Sequence, residues 1–201
     1  GPDSFACGLA VHLGEAVITP DVALEPRWQP WMWMAHEHGF QGVWSFPVKT
    51  FGGRVGATVT PQDWLGQASM VFFGFTWCPD VCPTTLMDIA DWLEGLGPDA
   101  DRIRVVMVTV DPQRDSPEVL GEYLSNFDPR IRGLTGTTDA IAQTAKAFGV
   151  EYERIPRDDG DYTMNHTSGV FVFRPSGELS SIIDFHEDRK FAVPKIQRAI
   201  G

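Results

Sequence analysis

Residues 71–86 read Val-Phe-Phe-Gly-Phe-Thr-Trp-Cys-Pro-Asp-Val-Cys-Pro-Thr-Thr-Leu. The first part is an apolar run typical of a buried strand, and the second part carries two cysteines, each followed by a proline. Three residues separate Cys78 from Cys82, so a helix that begins near Cys78 would place both thiols on one face, one turn apart. This geometry suits either a shared metal ion or a reversible disulfide.

The position of these cysteines after a strand also has an electrostatic consequence. A thiol at the start of a helix lies near free amide N–H groups and the positive end of the helix dipole, which favour the thiolate. We therefore expect Cys78 to be more acidic than a free thiol. Pro79 and Pro83 restrict the loop and should hold the two sulfurs in place.

The rest of the chain alternates between strand and helix patterns. Apolar runs and alternation predict strands at 46–51, 54–59, 70–75, 103–110, 131–134, 151–155, 162–165, 169–173 and 179–185. Helical periodicity, with capping residues, predicts a turn at 60–65 and helices at 83–96, 116–127, 139–148 and 190–200. Strands that alternate with helices and end in a hairpin plus a helix predict a mixed α/β sandwich.

Length and composition predict one domain with an extension. The chain has 201 residues, of which 43% are hydrophobic, enough for one substantial core. Residues 1–45 show little periodicity and are predicted to form an irregular extension, which places a boundary near residue 45. The formal net charge of -11 argues against nucleic-acid binding, which needs basic surface, but is compatible with a cation or a basic partner.

The chain shows no membrane or targeting segment. No apolar run approaches the roughly 18 residues that a membrane span needs, and no charged-then-apolar signal opens the sequence. Gly1 and Pro2 are typical of the residues left by a tag-cleaving protease. We therefore expect that a native anchor or signal segment has been removed.

The extension contains a Met/His cluster. If residues 31–38 are extended, the two-residue period places Met32, Met34, His36 and His38 on one face. Thioethers and imidazoles are ligands that soft copper accepts, so this face is a candidate accessory copper site. In the alternative interpretation, the Met and Trp side chains pack the extension onto the domain and the histidines face solvent.

Four blocks of the sequence resemble those of a known family. Phe-Gly-Phe-Thr-Trp-Cys-Pro-Asp-Val-Cys-Pro at 73–83 closely resembles the signature of the SCO/SenC family of copper chaperones for cytochrome oxidase. Val-Asp-Pro-Gln-Arg-Asp at 110–115, Leu-Thr-Gly-Thr at 134–137 and Asp-Tyr-Thr-Met-Asn-His at 161–166 are similar to later blocks of that family, in the same order. The resemblance covers roughly residues 46–200.

The resemblance implies a thioredoxin-like fold over residues 46–201, a central mixed sheet flanked by helices. It also implies Cys78, Cys82 and His166 as copper ligands. Two thiolates and one imidazole form a soft set that accepts three-coordinate Cu(I) and can hold Cu(II) with an added oxygen ligand. Zinc accepts the same ligands but usually takes a fourth.

Four other residues receive separate interpretations. Asp80 and Asp111 are candidates to orient His166 or to meet a partner, and the alternative is that they are solvated loop carboxylates. His186 is expected to be a surface histidine. Cys7 is expected to be a structural or solvent-facing residue. Three unevenly placed cysteines are too few for a disulfide scaffold, so the close pair indicates chemistry more than disulfide stapling.

The resemblance and the cysteine pair suggest three functions. The first is a metallochaperone that passes copper by ligand exchange to the binuclear copper site of an oxidase subunit, without catalytic turnover. The second is a thiol-disulfide oxidoreductase, in which Cys78 attacks a partner disulfide and Cys82 resolves the mixed disulfide. A peroxidase in which Cys78 attacks peroxide is a third, weaker alternative. His166 discriminates between the first two, because copper binding needs it and disulfide exchange does not.

The resemblance also predicts a setting. The implied partners are the copper-receiving oxidase subunit and another copper chaperone or a thiol reductant, and the expected location is extracytoplasmic, as in a periplasm, on a native membrane tether. Two features depart from the family pattern. Residues 3–45 match no part of it, and Trp77 stands beside the first cysteine, where its bulk would shield the metal or contact a partner.

Overall fold

The computed structural model describes residues 17–19, 43–49, 55–59, 65–158 and 160–201. The chain divides into two compact units, Gly1–Asp63 and Trp64–Gly201. The predicted boundary near residue 45 remains a prediction. The predicted turn at 60–65 lies almost wholly outside the described residues.

The first unit contains a three-stranded antiparallel sheet. Its strands are β1 (Val17–Thr19), β2 (Val43–Lys49) and β3 (Val55–Val59), in the order β1-β2-β3. Strands β2 and β3 overlap the strands predicted at 46–51 and 54–59, and they pair antiparallel. Strand β1 lies within the segment that lacks sequence periodicity, and its three residues are all β-branched types that suit an extended backbone.

The second unit is built on a five-stranded mixed sheet. Its strands are β4 (Ala68–Gly74), β5 (Ile103–Thr109), β6 (Ile131–Leu134), β9 (Val170–Phe173) and β10 (Leu179–Ile183), in the order β10-β9-β4-β5-β6. Strand β4 pairs in parallel with β5 and antiparallel with β9, and every residue of it is buried. This central position is what its unbroken apolar run predicts.

Helices flank this sheet, which confirms the predicted mixed α/β sandwich. They are α1 (Val81–Leu96), followed by a 3-10 helix (Gly97–Arg102), α2 (Pro117–Leu124), α3 (Thr138–Phe148) and α4 (Arg189–Ile200). Helices α2 and α3 begin at capping side chains, because Ser116 Oγ accepts from Val119 N and Thr137 Oγ1 accepts from Ala140 N. In the described part of the chain, no helix has the length and apolarity that crossing a bilayer requires.

Helix α1 begins three residues later than the position that would place both thiols on one helical turn. Its first residue is Val81, so Cys78 lies in the loop before it and Cys82 in its first turn. Pro79 disfavours the helical region for Cys78, the residue before it. Asp80, with φ -143°, is also outside the helix. The expected helical i and i+4 relation is therefore wrong for Cys78.

A separate hairpin completes the unit. Strands β7 (Tyr152–Pro156) and β8 (Tyr162–His166) pair antiparallel as a two-stranded sheet, with Tyr152 opposite His166. The two strands lie close to those predicted at 151–155 and 162–165. Four of the five residues of β7 are exposed, and most of β8 is half-buried. His166 is the last residue of β8, and β9 of the five-stranded sheet begins four residues later.

Candidate metal centre

Three segments bring Cys78, Cys82 and His166 together: the loop after β4, the first turn of α1 and the last residue of β8. Cys82 Sγ lies 3.5 Å from His166 Nε2. The backbone N–H of Cys82 donates to Cys78 Sγ over 3.3 Å. Cys82 therefore contacts both of the other residues, and the three side chains that the sequence predicted as ligands meet at one point.

Cys82 is wholly buried, and a glycine makes room for it. The side chain has 0% exposure. A Cβ added to Gly74, at the end of β4, would lie 3.0 Å from Cys82 Sγ and 2.8 Å from Phe72 Cε1. Real Cβ atoms do not approach other atoms so closely, so only glycine at position 74 lets the strand end lie directly beside this sulfur.

The two thiols have opposite acidity. The hydrogen bond from the Cys82 side chain lowers the pKa of Cys78 from 9.0 to about 4, with further lowering by the amides of Cys82 and Asp80, against the effect of burial. The same hydrogen bond, together with burial, raises the pKa of Cys82 far above its ordinary range. The pair thus holds one proton, with Cys78 as the thiolate. The expected acidity of Cys78 agrees, but its largest cause is the neighbouring thiol.

A backbone carbonyl fixes the protonation of His166. Its Nδ1 lies 2.9 Å from the carbonyl oxygen of Thr167, which can only accept, so Nδ1 carries the proton. In the neutral imidazole Nε2 then keeps its lone pair, and this is the atom that faces Cys82. The ring also packs edge-on against Phe75 and Phe72, with centroids 5.8 Å and 6.3 Å away.

The separation between sulfur and nitrogen suits a metal ion. With bonds of roughly 2.3 Å to sulfur and 2.0 Å to nitrogen, two ligand atoms this far apart subtend an angle of roughly 110° at the ion. Nevertheless, within the described residues no group of three or more His, Cys, Asp or Glu side chains is arranged as a ready-made metal site. The three side chains are packed as a hydrogen-bonded group, and binding an ion would displace the proton between the sulfurs.

Comparison with known proteins decides the family. The profile of the SCO1/SenC family matches residues 50–201. The chain belongs to the SCO1/SenC family. It is 35% identical to the mitochondrial SCO2 protein of Saccharomyces cerevisiae over 160 residues, which are 77% of this chain and 52% of that protein. It is 37% identical to the human mitochondrial SCO1 homologue over 130 residues, 63% of this chain and 43% of the human protein. The SCO1/SenC chain therefore spans about half the length of these relatives.

Solved structures of SCO proteins confirm the thioredoxin-like fold. The copper-bound ScoI of Bradyrhizobium japonicum has a TM-score of 0.66 at 36% identity, with 73% of this chain and 92% of that chain covered. Copper-bound yeast Sco1 has a TM-score of 0.66 at 35% identity, with 72% of this chain and 82% of that chain covered.

In this SCO1/SenC chain, a buried carboxylate holds the cysteine loop. Asp115, with 0% exposure, accepts hydrogen bonds from Thr76 N at 3.1 Å and Thr76 Oγ1 at 2.6 Å. Thr109 Oγ1 donates to the same carboxylate at 2.5 Å. Burial raises the pKa of Asp115 against the lowering effect of these hydrogen bonds. Sequence reasoning did not single out Asp115, although it closes the Asp-Pro-Gln-Arg-Asp block that the resemblance quoted.

The two aspartates proposed to orient His166 lie elsewhere. Asp111 is 3% exposed and accepts from Arg114 Nε at 2.5 Å and from the Tyr162 hydroxyl at 2.9 Å. Asp80 is exposed just before α1, and its carbonyl accepts from Thr84 N. His166 Nδ1 bonds to the Thr167 carbonyl, so an effect of Asp111 on His166 would pass through Tyr162.

Of the remaining predicted residues, two lie at the surface and five lie outside the described residues. His186 has a side chain that is 61% exposed, 3.8 Å from an Asp88 carboxylate oxygen, which confirms it as a surface histidine. Trp77 is 62% exposed beside Cys78. The candidate accessory copper ligands and the lone cysteine lie outside the described residues, namely Met32, Met34, His36, His38 and Cys7.

Proposed function

We propose that this SCO1/SenC domain is a copper metallochaperone that binds one copper ion through Cys78, Cys82 and His166. The observation that carries the proposal is the 3.5 Å approach of a lone-pair-bearing imidazole nitrogen to Cys82 Sγ, beside the Cys78 thiolate. Two thiolates and an imidazole suit Cu(I), and an added oxygen ligand would allow Cu(II). The copper-bound state of relatives at 35% and 36% identity supports this assignment.

The protonation of the site describes how copper would enter. Cys78 is already a thiolate and would bind first, whereas Cys82 must lose its proton. Metal binding would therefore release about one proton from the pair at neutral pH. Copper would leave by ligand exchange, in which thiolates of the receiving protein replace those of the chaperone one at a time. Apart from the S–H bond of Cys82, which is lost on copper binding and restored on release, no covalent bond of the protein changes in this cycle, so it involves no catalytic turnover.

The partner and setting follow from this function. We propose that the receiver is the binuclear copper site of a cytochrome c oxidase subunit, and that another copper chaperone or a thiol reductant prepares the cysteine pair. That copper site faces the extracytoplasmic side, so the domain would act there, in a periplasm or its equivalent, tethered to the membrane in its native form.

Removing the imidazole tests the proposal. The reduced chain is expected to bind about one copper ion, and His166→Ala is expected to weaken binding by at least about 10-fold, because a ligand is lost. Affinity is measured by competition with a Cu(I) chelator. The matched control is His186→Ala, which removes an exposed histidine and should leave affinity unchanged. Wild-type affinity in His166→Ala would remove the proposal's main support.

The cysteine pair also supports a second candidate function, thiol-disulfide exchange. A Cys78 thiolate beside a protonated Cys82 has the charge distribution that an attacking and a resolving thiol need. Cys78 would attack a partner disulfide, releasing one partner thiolate, and Cys82 would then displace the second. A Cys82→Ala variant would trap the mixed disulfide, which mass spectrometry detects. This activity should survive His166→Ala, which separates it from copper binding.

A further inference from the structure

One short loop contacts both halves of the centre. Residues 111–115 lie in the connection between β5 and α2. At the end of this loop, Asp115 holds Thr76, two residues before Cys78. At its start, Asp111 accepts from the hydroxyl of Tyr162, four residues before His166. The loop therefore connects the cysteine side to the strand that carries the histidine.

Two hydrogen bonds and two guanidinium groups hold Tyr162 in place. Besides the 2.9 Å hydrogen bond to Asp111, its carbonyl accepts from Arg114 Nη1 at 3.0 Å. The guanidinium carbons of Arg114 and Arg154 lie 3.7 Å and 3.6 Å from the centre of its ring. Two guanidinium groups cannot both lie so close to one face without overlap, so they cover opposite faces. Cation–π attraction then holds the ring between them.

Strand geometry links this grip to the imidazole. In β8 the two-residue period directs Tyr162, Met164 and His166 to one side of the hairpin. Met164 packs against the core between them. Four residues of strand span about 13 Å, a fixed length along the backbone. Fixing the position of Tyr162 at one end of β8 therefore fixes the position of His166 at the other end.

We propose that Tyr162, clamped by Asp111, Arg114 and Arg154, is a positioning residue that sets the approach of His166 Nε2 to the cysteine pair. In the described structure, β8 does not pair with any strand of the five-stranded sheet. The contacts of Tyr162 hold β8 in the absence of that pairing. Its charges are balanced, because Arg114 is paired with Asp111 and Asp161, at 2.5 Å and 3.4 Å. The inference rests on the proposed copper function.

Two substitutions test the clamp. Tyr162→Leu removes the ring and the hydroxyl, and copper affinity is expected to fall about 10- to 100-fold, as for other residues that orient a metal ligand. Tyr162→Phe keeps the stacked ring and should restore most of this loss. X-ray absorption of the copper-loaded protein should show the nitrogen contribution weakened in Tyr162→Leu while both sulfurs remain, a change that simple destabilisation would not produce.

A milder substitution distinguishes loss of the clamp from misfolding of the protein. Arg154 is exposed, so Arg154→Ala removes one face of the stack without opening the core, and it should lower affinity in the same direction by less. Phe191→Leu is the control, since that ring also has a cation near it, Lys190 Nζ at 5.0 Å, but lies in α4. Unchanged affinity and an unchanged nitrogen contribution in both Tyr162→Leu and Arg154→Ala would overturn the clamp. Absence of nitrogen coordination in the wild type would instead overturn the proposed ligand set.

Discussion

The cysteine side and the histidine side of the centre are held by different forces. Cys82 is fully buried at the start of α1, against β4, whose residues are all buried. His166 is half-buried at the end of a hairpin whose first strand is largely exposed. Apolar packing and the buried Asp115 carboxylate position the cysteine side, whereas cation–π contacts, ion pairs and hydrogen bonds around Tyr162 position the histidine side.

This difference predicts how each side responds to change. A buried position tolerates neither a cavity nor an unpaired donor, so substitutions there should cost stability as well as binding. On the histidine side, Arg154 and Asp161 are exposed, and substitutions at these two residues should disturb binding geometry with little loss of stability. The two sides can therefore be separated by measuring copper affinity and unfolding free energy on the same variants.

The largest effect on stability is expected from Asp115→Ala on the cysteine side. The substitution leaves the Thr76 amide and the Thr109 hydroxyl without their buried acceptor, which should lower the free energy of unfolding by about 3 kcal/mol. Urea unfolding of the reduced protein measures this change. The matched control is Asp161→Ala on the histidine side, whose side chain is 45% exposed and pairs with Arg114 at 3.4 Å. It should cost less than about 1 kcal/mol, and equal costs would contradict the comparison.

The next effect concerns the reactivity of Cys78 with pH. For an ordinary thiol the alkylation rate rises roughly 100-fold between pH 6 and 8, because the thiolate fraction rises with pH. Cys78, with a pKa of about 4, is already ionised there, so its rate should be nearly flat. Iodoacetamide labelling followed by mass spectrometry measures it.

The lowered pKa of Cys78 also makes the stability of the reduced fold depend on pH. Between about pH 4 and 9.0 the unfolded chain binds more protons than the folded one, so the reduced fold should gain stability as pH rises and lose that gain on acidification. Cys82→Ala removes the largest cause of the lowered pKa and should restore a pH-dependent labelling rate. A flat profile in that variant would assign the acidity of Cys78 to other groups.

The smallest of the three effects is expected from Gly74→Ala. The added methyl would meet Phe72 and Cys82 within 3.0 Å, and such overpacking typically costs about 1–3 kcal/mol. The displaced sulfur should also lower copper affinity. Gly149→Ala is the control, since its left-handed φ of 67° penalises a side chain that would meet no atom within 4 Å. Stability should fall in both variants, but affinity only in Gly74→Ala.

Sequence periodicity predicted most elements of the second unit. The apolar run of β4, the serine cap and following proline at the start of α2, and the glycine that ends α3 each have a local physical cause, and each element appears close to its predicted bounds. The start of α1 was predicted less well, because the restriction that Pro79 places on Cys78 competes with the helical spacing of the cysteines.

The candidate site was predictable where chemistry follows from residue type and local spacing. By itself the sequence determined a strand that runs into a cysteine pair, and its motifs named His166 as the third ligand of a soft metal site. The sequence also predicted that Cys78 would be acidic. Only the tertiary structure decided that the neighbouring thiol is the largest cause of this acidity, which nitrogen of His166 is free, and that Asp115 and Tyr162 hold the two sides. Those properties depend on distances between residues far apart in the chain, and folding alone fixes these distances.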